Sequence, residues 1–207
     1  IQKKTRKMKT GGEETRKRIV LEALKLFTTK QYDQVTYCDL ERATGLSRGA
    51  ILYHIKNKEK LFLDAVEMFV FGNNTLTSLV PEQRTTLKAT IDNYTALLAA
   101  EQQSWRESGI ENINFALVNI QMSAYTLFTD SLREAGQWYE REVETWREVI
   151  ERAIASGEVR RVDARLMAEV LEDAYLGAAY AGLPRKTGYD VGRVRAVLTG
   201  IYDSIKN

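Results

Sequence analysis

A short segment of this 207-residue chain carries the residue types and the spacing that DNA binding requires. Residues 36–58 read TYCDLERATGLSRGAILYHIKNK, a pattern that predicts two short helices joined by a three-residue turn. Arg48, Gly49, Leu52 and Tyr53 share one face of the second predicted helix. An arginine in this position can donate two hydrogen bonds to guanine, and a leucine can contact the methyl group of thymine. The segment therefore predicts a helix that enters the major groove of DNA.

Polar side chains around the same segment suit the phosphate backbone. Unpaired amides at a helix N-terminus attract anions, and hydroxyl and ammonium groups add hydrogen bonds and charge. Such contacts fix position and salt dependence, whereas base contacts fix sequence preference. The predicted DNA-binding residues are Thr36, Tyr37, Ser47, Arg48, Gly49, Leu52, Tyr53, His54, Lys56 and Lys58.

One histidine and one cysteine exclude several kinds of site. The chain cannot form an intramolecular disulfide, a cysteine zinc cluster or a Cys–His catalytic pair. We expect His54 to brace the DNA-binding segment or to meet a phosphate, and Cys38 to be a small buried core residue, with redox sensing as the alternative. No nucleophile–base pair, phosphate-binding glycine loop or metal-ligand spacing is present, so we expect no enzyme and no cofactor.

The charge is distributed unevenly along the chain. Residues 1–60 hold 15 Lys and Arg against 7 Asp and Glu, a net charge of +8. Residues 61–207 hold 15 against 21, a net charge of −6. A basic head on an acidic body indicates that the head meets a polyanion, although a solvated tail explains the first few lysines equally well.

The elements that must hold the DNA-binding segment are predicted to be helices. Thr36, with Asp39 three residues later, forms a capping-box pattern, and Gly45 is typical of a helix end with positive φ. Ser47 is predicted to cap the recognition helix and Asn57 the helix after it. The apolar residues expected to brace the pair are Leu40, Ala43, Leu46, Ile51 and Ile55.

The region before this segment is predicted to contain an arm and one helix. Residues 1–14 are polar and include Gly11-Gly12, a pattern typical of a flexible basic arm. The arm either adds phosphate or minor-groove contacts or has no role. Thr15 is predicted to cap a helix over residues 16–30.

The rest of the chain also predicts helices. Only two prolines occur, alternating β-branched runs are absent, and apolar residues recur at helical spacing. We expect an all-α fold of about nine helices, with residues 15–60 as a helix–turn–helix domain and residues 61–207 as a helical ligand-binding and dimerisation domain. After a fourth helix with an apolar run over 61–71, the predicted helices cover residues 87–103, 111–128, 131–156, 163–182 and 190–205.

Aromatic residues are concentrated in the middle helices. Small-molecule cavities are mostly apolar with a few polar groups, so such a belt suits a ligand, although a solid core explains it as well. No facing pair of acids marks a preference for charge or metal. The predicted ligand contacts are Trp105, Phe115, Met122, Tyr125, Phe128, Trp138, Tyr139, Trp146 and Tyr175.

The stretches TRKRIVLEALKLF and VTYCDLERATGLSRGAILYHIKNKEKL resemble the DNA-binding domain of the tetracycline-repressor (TetR) family. The resemblance is specific over residues 15–65. Three positions depart from it: Leu52 stands where a tyrosine is usual, Ile55 where an aromatic is usual, and Gln31 where a glycine is common. The first departure removes an expected phosphate contact, for which Tyr53 is the partial substitute, and the third is expected to strain the backbone slightly.

The resemblance implies a homodimer whose C-terminal helices enclose a ligand cavity. Small residues near Gly177 and the apolar stripe of the last helix permit a four-helix bundle with a partner, while a monomer core is the alternative. We expect a cytoplasmic, ligand-responsive regulator without a membrane segment, a repressor that binds a palindromic double-stranded operator and is released by an unidentified small molecule. The alternatives are a small-molecule carrier with a vestigial DNA-binding head and a nonspecific nucleoid-type binder.

Overall fold

A computed structural model describes residues 2–69 and 75–207, and the side chains of all of these except residues 2–10, 129, 131 and 132. This part of the chain is helical and contains no β-strand, as predicted; its single β-bridge joins Val159 and Lys206. The nine α-helices of the described residues are α1 Gln2–Phe27, α2 Tyr37–Thr44, α3 Arg48–His54, α4 Lys58–Phe69, α5 Leu87–Glu107, α6 Ile113–Leu127, α7 Thr129–Ser156, α8 Ala164–Ala181 and α9 Val191–Ile205.

These helices divide into two compact units. The N-terminal unit comprises Ile1–Gly72 and Ala116–Phe128, and the body unit comprises Asn73–Phe115 and Thr129–Asn207. The boundary differs from the expected one after residue 60 because α4 and most of α6 belong to the N-terminal unit. The predicted change of character at residues 72–74 lies outside the described residues.

Aromatic side chains form the centre of the N-terminal unit. Phe62 of α4 is fully buried, meets Phe27 of α1 edge-on at 4.9 Å and stacks on Phe128 at 5.6 Å. Tyr32 meets Phe62 edge-on at 5.1 Å. Such pairs add about 0.5–1.5 kcal/mol each beyond the burial of their area. Phe128, predicted as a ligand contact, is thus accounted for by this core.

Hydrogen bonds join α6 to the loop that follows α1. Asn119 donates through Nδ2 to the carbonyl of Phe27 at 2.9 Å, and Gln31 donates to Asn119 Oδ1 at 2.6 Å. Ser123 Oγ donates to Gln31 Oε1 at 2.8 Å and accepts the backbone N–H of Tyr32 at 3.1 Å. Gln31 has φ −64° and ψ 154°, ordinary extended backbone. The expected strain at Gln31 is therefore absent, and its side chain takes part in the contact.

Helix α1 begins far earlier than predicted. It starts at Gln2, so residues 2–14 are helical rather than a flexible arm. Thr15 does not cap a helix; its hydroxyl donates to the carbonyl of Gly11 at 2.8 Å within α1. Lysine, arginine, methionine and glutamate are good helix formers, and here they outweigh the unfavourable Gly11-Gly12 pair.

The predicted helix caps around the recognition helix are confirmed. Thr36 Oγ1 accepts the N–H of Asp39, which in turn accepts the N–H of Thr36, and Gly45 has φ 69°. Ser47 Oγ accepts the N–H of Ala50 at 3.3 Å. Farther along, the side chains of Asn57, Asp163 and Asp190 cap α4, α8 and α9 as predicted.

In the body unit, α5, α7, α8 and α9 pack around one apolar core. Trp146 of α7 is fully buried, and Tyr94 of α5 meets it edge-on at 5.7 Å. Glu142, also fully buried, accepts the N–H of Leu76 at 2.7 Å and the hydroxyl of Thr77 at 2.9 Å. An acid on the inner face of α7 thus holds the 3₁₀ turn Leu76–Ser78 that precedes α5.

Replacing the α2 cap tests the local stability of the helix–turn–helix. Thr36→Ala removes both side-chain bonds of the capping box, and we expect the free energy of unfolding to fall by about 1 kcal/mol. Thr126→Ala is the matched control, because Thr126 is exposed and bonds only the carbonyl of its own helix at Met122. Urea denaturation followed by circular dichroism measures both, and equal midpoints for the two variants would contradict the cap's role.

Candidate nucleic-acid interface and effector region

The recognition helix has one buried face and one exposed face. Ile51 and, just after the helix, Ile55 are buried together with Leu40 of α2, as the predicted brace requires. The opposite face is open: Tyr53 is 86% exposed and Leu52 is 37% exposed. Arg48 and Gly49 are exposed as well. The structure therefore brings the predicted base-contacting residues onto one accessible surface, which we call the α3 face.

The start of α3 is fixed by two groups from α2. Glu41 Oε1 accepts the backbone N–H of Arg48 at 2.7 Å, and the Arg48 guanidinium lies over the ring of Tyr37, 4.4 Å from its centroid. Tyr37 is thus placed to orient Arg48. Sequence reasoning missed Glu41, although a glutamate seven residues before an arginine across a tight turn is a usable signal.

The hydroxyl of Thr36 is engaged in the cap of α2. It donates to Asp39 Oδ2 at 2.8 Å and accepts the Asp39 N–H at 3.2 Å, while Lys30 pairs with the same carboxylate at 2.9 Å. The hydrogen bond from the Thr36 backbone, followed by that from Lys30, holds the pKa of Asp39 below its ordinary value. The phosphate contact expected of Thr36 stays a prediction.

Two predicted phosphate-binding lysines have different surroundings. Lys58 is half-buried; its Nζ donates to the carbonyls of Tyr32 and Val35 at 3.1 Å each and lies 4.2 Å from the centroid of the Tyr32 ring. Lys56 is exposed and has no ion pair within the described residues. Lys58 therefore ties α4 to the loop before α2, a role that sequence reasoning missed, and Lys56 is the more available cation.

His54 is the last residue of α3, and Cys38 lies in the first turn of α2. His54 is half-buried and meets the Tyr53 ring edge-on at 5.1 Å. Cys38 is exposed, so its expected burial is wrong. The inner face of α2 is taken by Leu40 and Thr44, and Cys38 lies on its outer side with Arg42.

The predicted aromatic belt does not lie within one unit. Met122, Tyr125 and Phe128 belong to the N-terminal unit, whereas the other six predicted ligand contacts belong to the body unit. Phe115 and Met122 are 53% and 57% exposed. The buried side of α6 is formed by smaller residues such as Ile120 and Ala124. Ligand contact at the predicted positions remains untested.

Within the body unit, several predicted residues have polar partners. Tyr139 donates to Asp173 at 3.0 Å, and burial together with this bond raises the pKa of Tyr139 to about 12. Trp105 Nε1 reaches Glu101 at 3.4 Å. Trp138 is half-buried, and its Nε1 has no hydrogen-bond partner among the described residues. These side chains surround the body core without forming one continuous belt.

A tyrosine-rich cluster joins α5, α7, α8 and the loop before α9 in the body unit. Tyr94 meets both Trp146 and Tyr175 edge-on at 5.7 Å, and Tyr175 meets Tyr189 edge-on at 6.0 Å. Asn114 Oδ1 accepts the backbone N–H of Tyr189 at 2.8 Å and thereby fixes the loop before α9. Two of the predicted ligand contacts, Trp146 and Tyr175, thus meet two tyrosines that the belt had omitted.

Two acids of this core were missed by sequence reasoning. Glu142 of α7 and Glu172 of α8 are both fully buried and act on each other electrostatically. Burial, then repulsion from Glu142, raises the pKa of Glu172 to about 8. The expectation that no facing acids occur is therefore wrong. Both glutamates occupy positions within the apolar stripes of their helices, as Glu142 does between Tyr139 and Trp146. This spacing is the sequence signal that could have predicted their burial.

The body unit also has a surface cleft, whose lining residues are polar or charged rather than aromatic. Its volume is about 540 Å³, and it is lined by Thr77, Glu140, Arg141, Glu144, Thr145 and Arg165. Four of these six side chains are charged, and Arg165 pairs with Glu140 at 2.9 Å. The cleft contains none of the predicted aromatic contacts.

The described residues contain neither a metal-binding cluster nor a membrane-spanning helix. No group of three or more His, Cys, Asp or Glu side chains in residues 2–69 and 75–207 lies close enough together to hold a metal ion. In the same ranges, no helix has both the length and the apolar character that crossing a bilayer requires.

Known proteins resemble the chain at two levels. Residues 19–65 match the family described as "Bacterial regulatory proteins, tetR family". The HTH-type transcriptional regulator AcrR of Shigella flexneri is 36% identical over 63 residues, which are 30% of this chain and 29% of AcrR. The aligned stretch thus spans less than a third of that relative.

Solved structures extend the likeness to nearly the whole chain. A TetR-family transcriptional regulator from Cytophaga hutchinsonii has a TM-score of 0.65 at 18% identity, over 95% of this chain and 96% of its own. The SmeT–triclosan complex has a TM-score of 0.64 at 18% identity, over 94% and 92% of the two chains. At this identity the likeness establishes a shared fold.

Replacing Lys58 and Lys56 separately by methionine tests whether the hydrogen bonds of Lys58 stabilise the fold more than an exposed positive charge does. Lys58→Met keeps the aliphatic stem but leaves two carbonyls without their charged donor, and we expect the free energy of unfolding to fall by about 1–3 kcal/mol. Lys56→Met is the control, with a change of about 0.5 kcal/mol or less. Thermal and urea denaturation measure both; a Lys58 variant as stable as the Lys56 variant would show that these bonds contribute nothing.

Proposed function

We propose that this chain, in which residues 19–65 match the tetR family of bacterial regulatory proteins, is a regulator of transcription that reads operator DNA with α3. The observation that carries the proposal is the α3 face: an exposed helix surface on a fully buried brace of Leu40 and Ile51. Arg48 reads guanine, Leu52 contacts thymine methyl groups, and Gly49 lets the backbone approach the groove.

Phosphate contacts in this proposal come from groups next to the α3 face. Tyr53 extends from its edge, and the exposed Lys56 follows at the end of α3. Ser47 caps the N-terminus of α3, whose first-turn amides are proposed to face a phosphate. The excess of positive charge in residues 1–60 attracts the duplex before these contacts form.

We propose that the functional form is a homodimer built on α8 and α9. Leu166, Val170, Gly177 and Tyr180 lie on one side of α8, and the first two and Tyr180 are exposed apolar or aromatic side chains. Val197 is exposed on α9, which packs against α8. A second copy is the occupant that suits this surface, because a two-fold pairing places like residues together and matches a palindromic operator with half-sites about 34 Å apart.

A small molecule is proposed to control DNA binding. SmeT, which shares the fold, is solved with triclosan. A ligand that binds one conformation of the body unit more tightly than the other shifts the population, and operator affinity falls by that difference. On this basis we propose a repressor that its effector releases. The alternative is a small-molecule carrier with a vestigial DNA-binding head. In such a carrier, substitutions on the α3 face would have no effect on function.

The α3 face is tested with a duplex selected from a random library by the wild-type protein. Arg48→Ala removes a guanine contact, so we expect affinity for the selected duplex to fall about 5- to 100-fold, or about 1–3 kcal/mol. Affinity for a scrambled duplex changes little, because the phosphate contacts remain. Fluorescence anisotropy at several stated salt concentrations provides the measurement.

The matched control is Arg133→Ala, which removes an exposed arginine of α7 in the body unit. It is expected to bind both duplexes like the wild type. Equal wild-type affinity for selected and scrambled duplexes would indicate a nonspecific binder, and an unaffected Arg48→Ala variant would remove α3 from base recognition.

The proposed dimer is tested with a charge on α8. Val170→Glu places two carboxylates in the pairing surface, so we expect the dimer dissociation constant to rise at least about 100-fold, or about 3 kcal/mol. Val80→Glu is the control, because Val80 is exposed but lies before α5. Sedimentation equilibrium distinguishes them; a Val170→Glu variant that remains dimeric would contradict the assignment of the interface.

A further inference from the structure

Glu172 is a buried acid that the fold leaves incompletely paired. It lies on α8 with an exposed fraction of 0%. One carboxylate oxygen, Oε2, accepts the indole N–H of Trp146 at 3.2 Å, and the other, Oε1, has no hydrogen-bond partner among the residues that the structure describes. A buried oxygen without a partner is costly and rare in a native core.

No cation among the described side chains compensates this carboxylate. Within the part of the chain that the structure describes, Glu172 forms no ion pair with a lysine or an arginine. The charged group with the largest electrostatic effect on Glu172 is another acid, Glu142. Its own carboxylate oxygens already accept hydrogen bonds from Leu76 and Thr77. Core packing alone gives no reason for an acid at residue 172, since an apolar residue of similar size would avoid the cost.

A cluster of aromatic rings lies next to the same position. Tyr94, Trp146 and Tyr175 meet in edge-to-face pairs, an arrangement in which one ring edge approaches the face of the next. Burial is the largest cause of the raised pKa of Tyr94, and the charge of Glu172 is the second. The carboxylate therefore lies within electrostatic reach of the cluster. Glu101 acts on Tyr175 and Tyr189 in the same sense.

We propose that Glu172, with Tyr94, Trp146 and Tyr175, forms the recognition site for an organic ammonium ion. The ammonium supplies the missing counter-charge to Oε1, while its alkyl groups contact the aromatic rings through cation–π and apolar interactions. This inference rests on the proposed function, since it names the chemical class of the effector. Because the carboxylate is enclosed, the ligand requires a rearranged core, and that requirement gives the two conformations their different affinities.

Ammonium binding at this site depends on pH in a defined direction. The neutral form of Glu172 predominates below the raised pKa and the ionised form above it, so affinity for a permanently charged ligand rises with pH toward about 8. The titratable or charged groups that act on Glu172 or the cluster are Glu142 on α7, Asp173 on α8, Tyr94, Glu101 and Arg106 on α5, Tyr139 on α7, Tyr175 on α8 and Tyr189 before α9.

The experiment compares benzyltrimethylammonium with neopentylbenzene, its uncharged carbon isostere, by isothermal titration of the full chain. We expect the ammonium to bind at least tenfold more tightly than the isostere, and more tightly at about pH 8 than at about pH 6. Glu172→Gln keeps the shape of the protonated acid and should lose at least tenfold in ammonium affinity together with the pH dependence. Glu82→Gln, an exposed acid before α5, is the control and should bind like the wild type.

Equal binding of both probes by the wild type, no binding of either, or unchanged ammonium affinity in Glu172→Gln would each overturn the proposal. If Glu172→Gln fails to fold, the wild-type pH profile and the comparison of the two probes still decide. Selected-duplex binding without ligand is measured on the same preparation. Loss of that activity with ammonium binding intact would contradict the regulator and leave the site standing.

Discussion

A seven-residue helix is too short to be stable alone in water, so α3 exists because Ile51 and Ile55 are buried in the N-terminal unit. That burial turns the opposite face outward and fixes the rotation of the helix. Glu41 and Tyr37 then set the position of the Arg48 backbone and guanidinium. A substitution at Ile51 or Ile55 would therefore alter the proposed base contacts of α3 although neither side chain lies on the α3 face.

The sequence predicted best where the signal is local. Thr36, Gly45 and Ser47 act within a few residues of their own positions, and the structure places all three as expected. Helix content and the open α3 face follow from the same short-range patterns. The start of α1 was missed because a glycine pair normally breaks a helix, whereas the surrounding residues favour one.

The contacts that were missed involve distant parts of the chain. Lys58 lies near the start of the fourth predicted helix, a position that favours a phosphate contact, but its ammonium donates to two carbonyls more than 20 residues away. Glu172 was passed over because periodicity weighs apolar residues and ignores an acid among them. The prediction of an aromatic belt placed nine residues in one domain, whereas the fold divides them between two units. Pairing across the chain is a tertiary property that helical spacing does not encode.

Helix α6 has a consequence for dissecting the molecule. Its first residues belong to the body unit, but Asn119 and Ser123 bond the loop after α1, and Phe128 covers Phe62. A fragment truncated after α4 would retain every residue of the helix–turn–helix motif while exposing an apolar patch and unpaired loop groups. The smallest autonomous form of the N-terminal unit is thus discontinuous, and isolating it calls for a linker that joins residues 116–128 to the excised N-terminal segment.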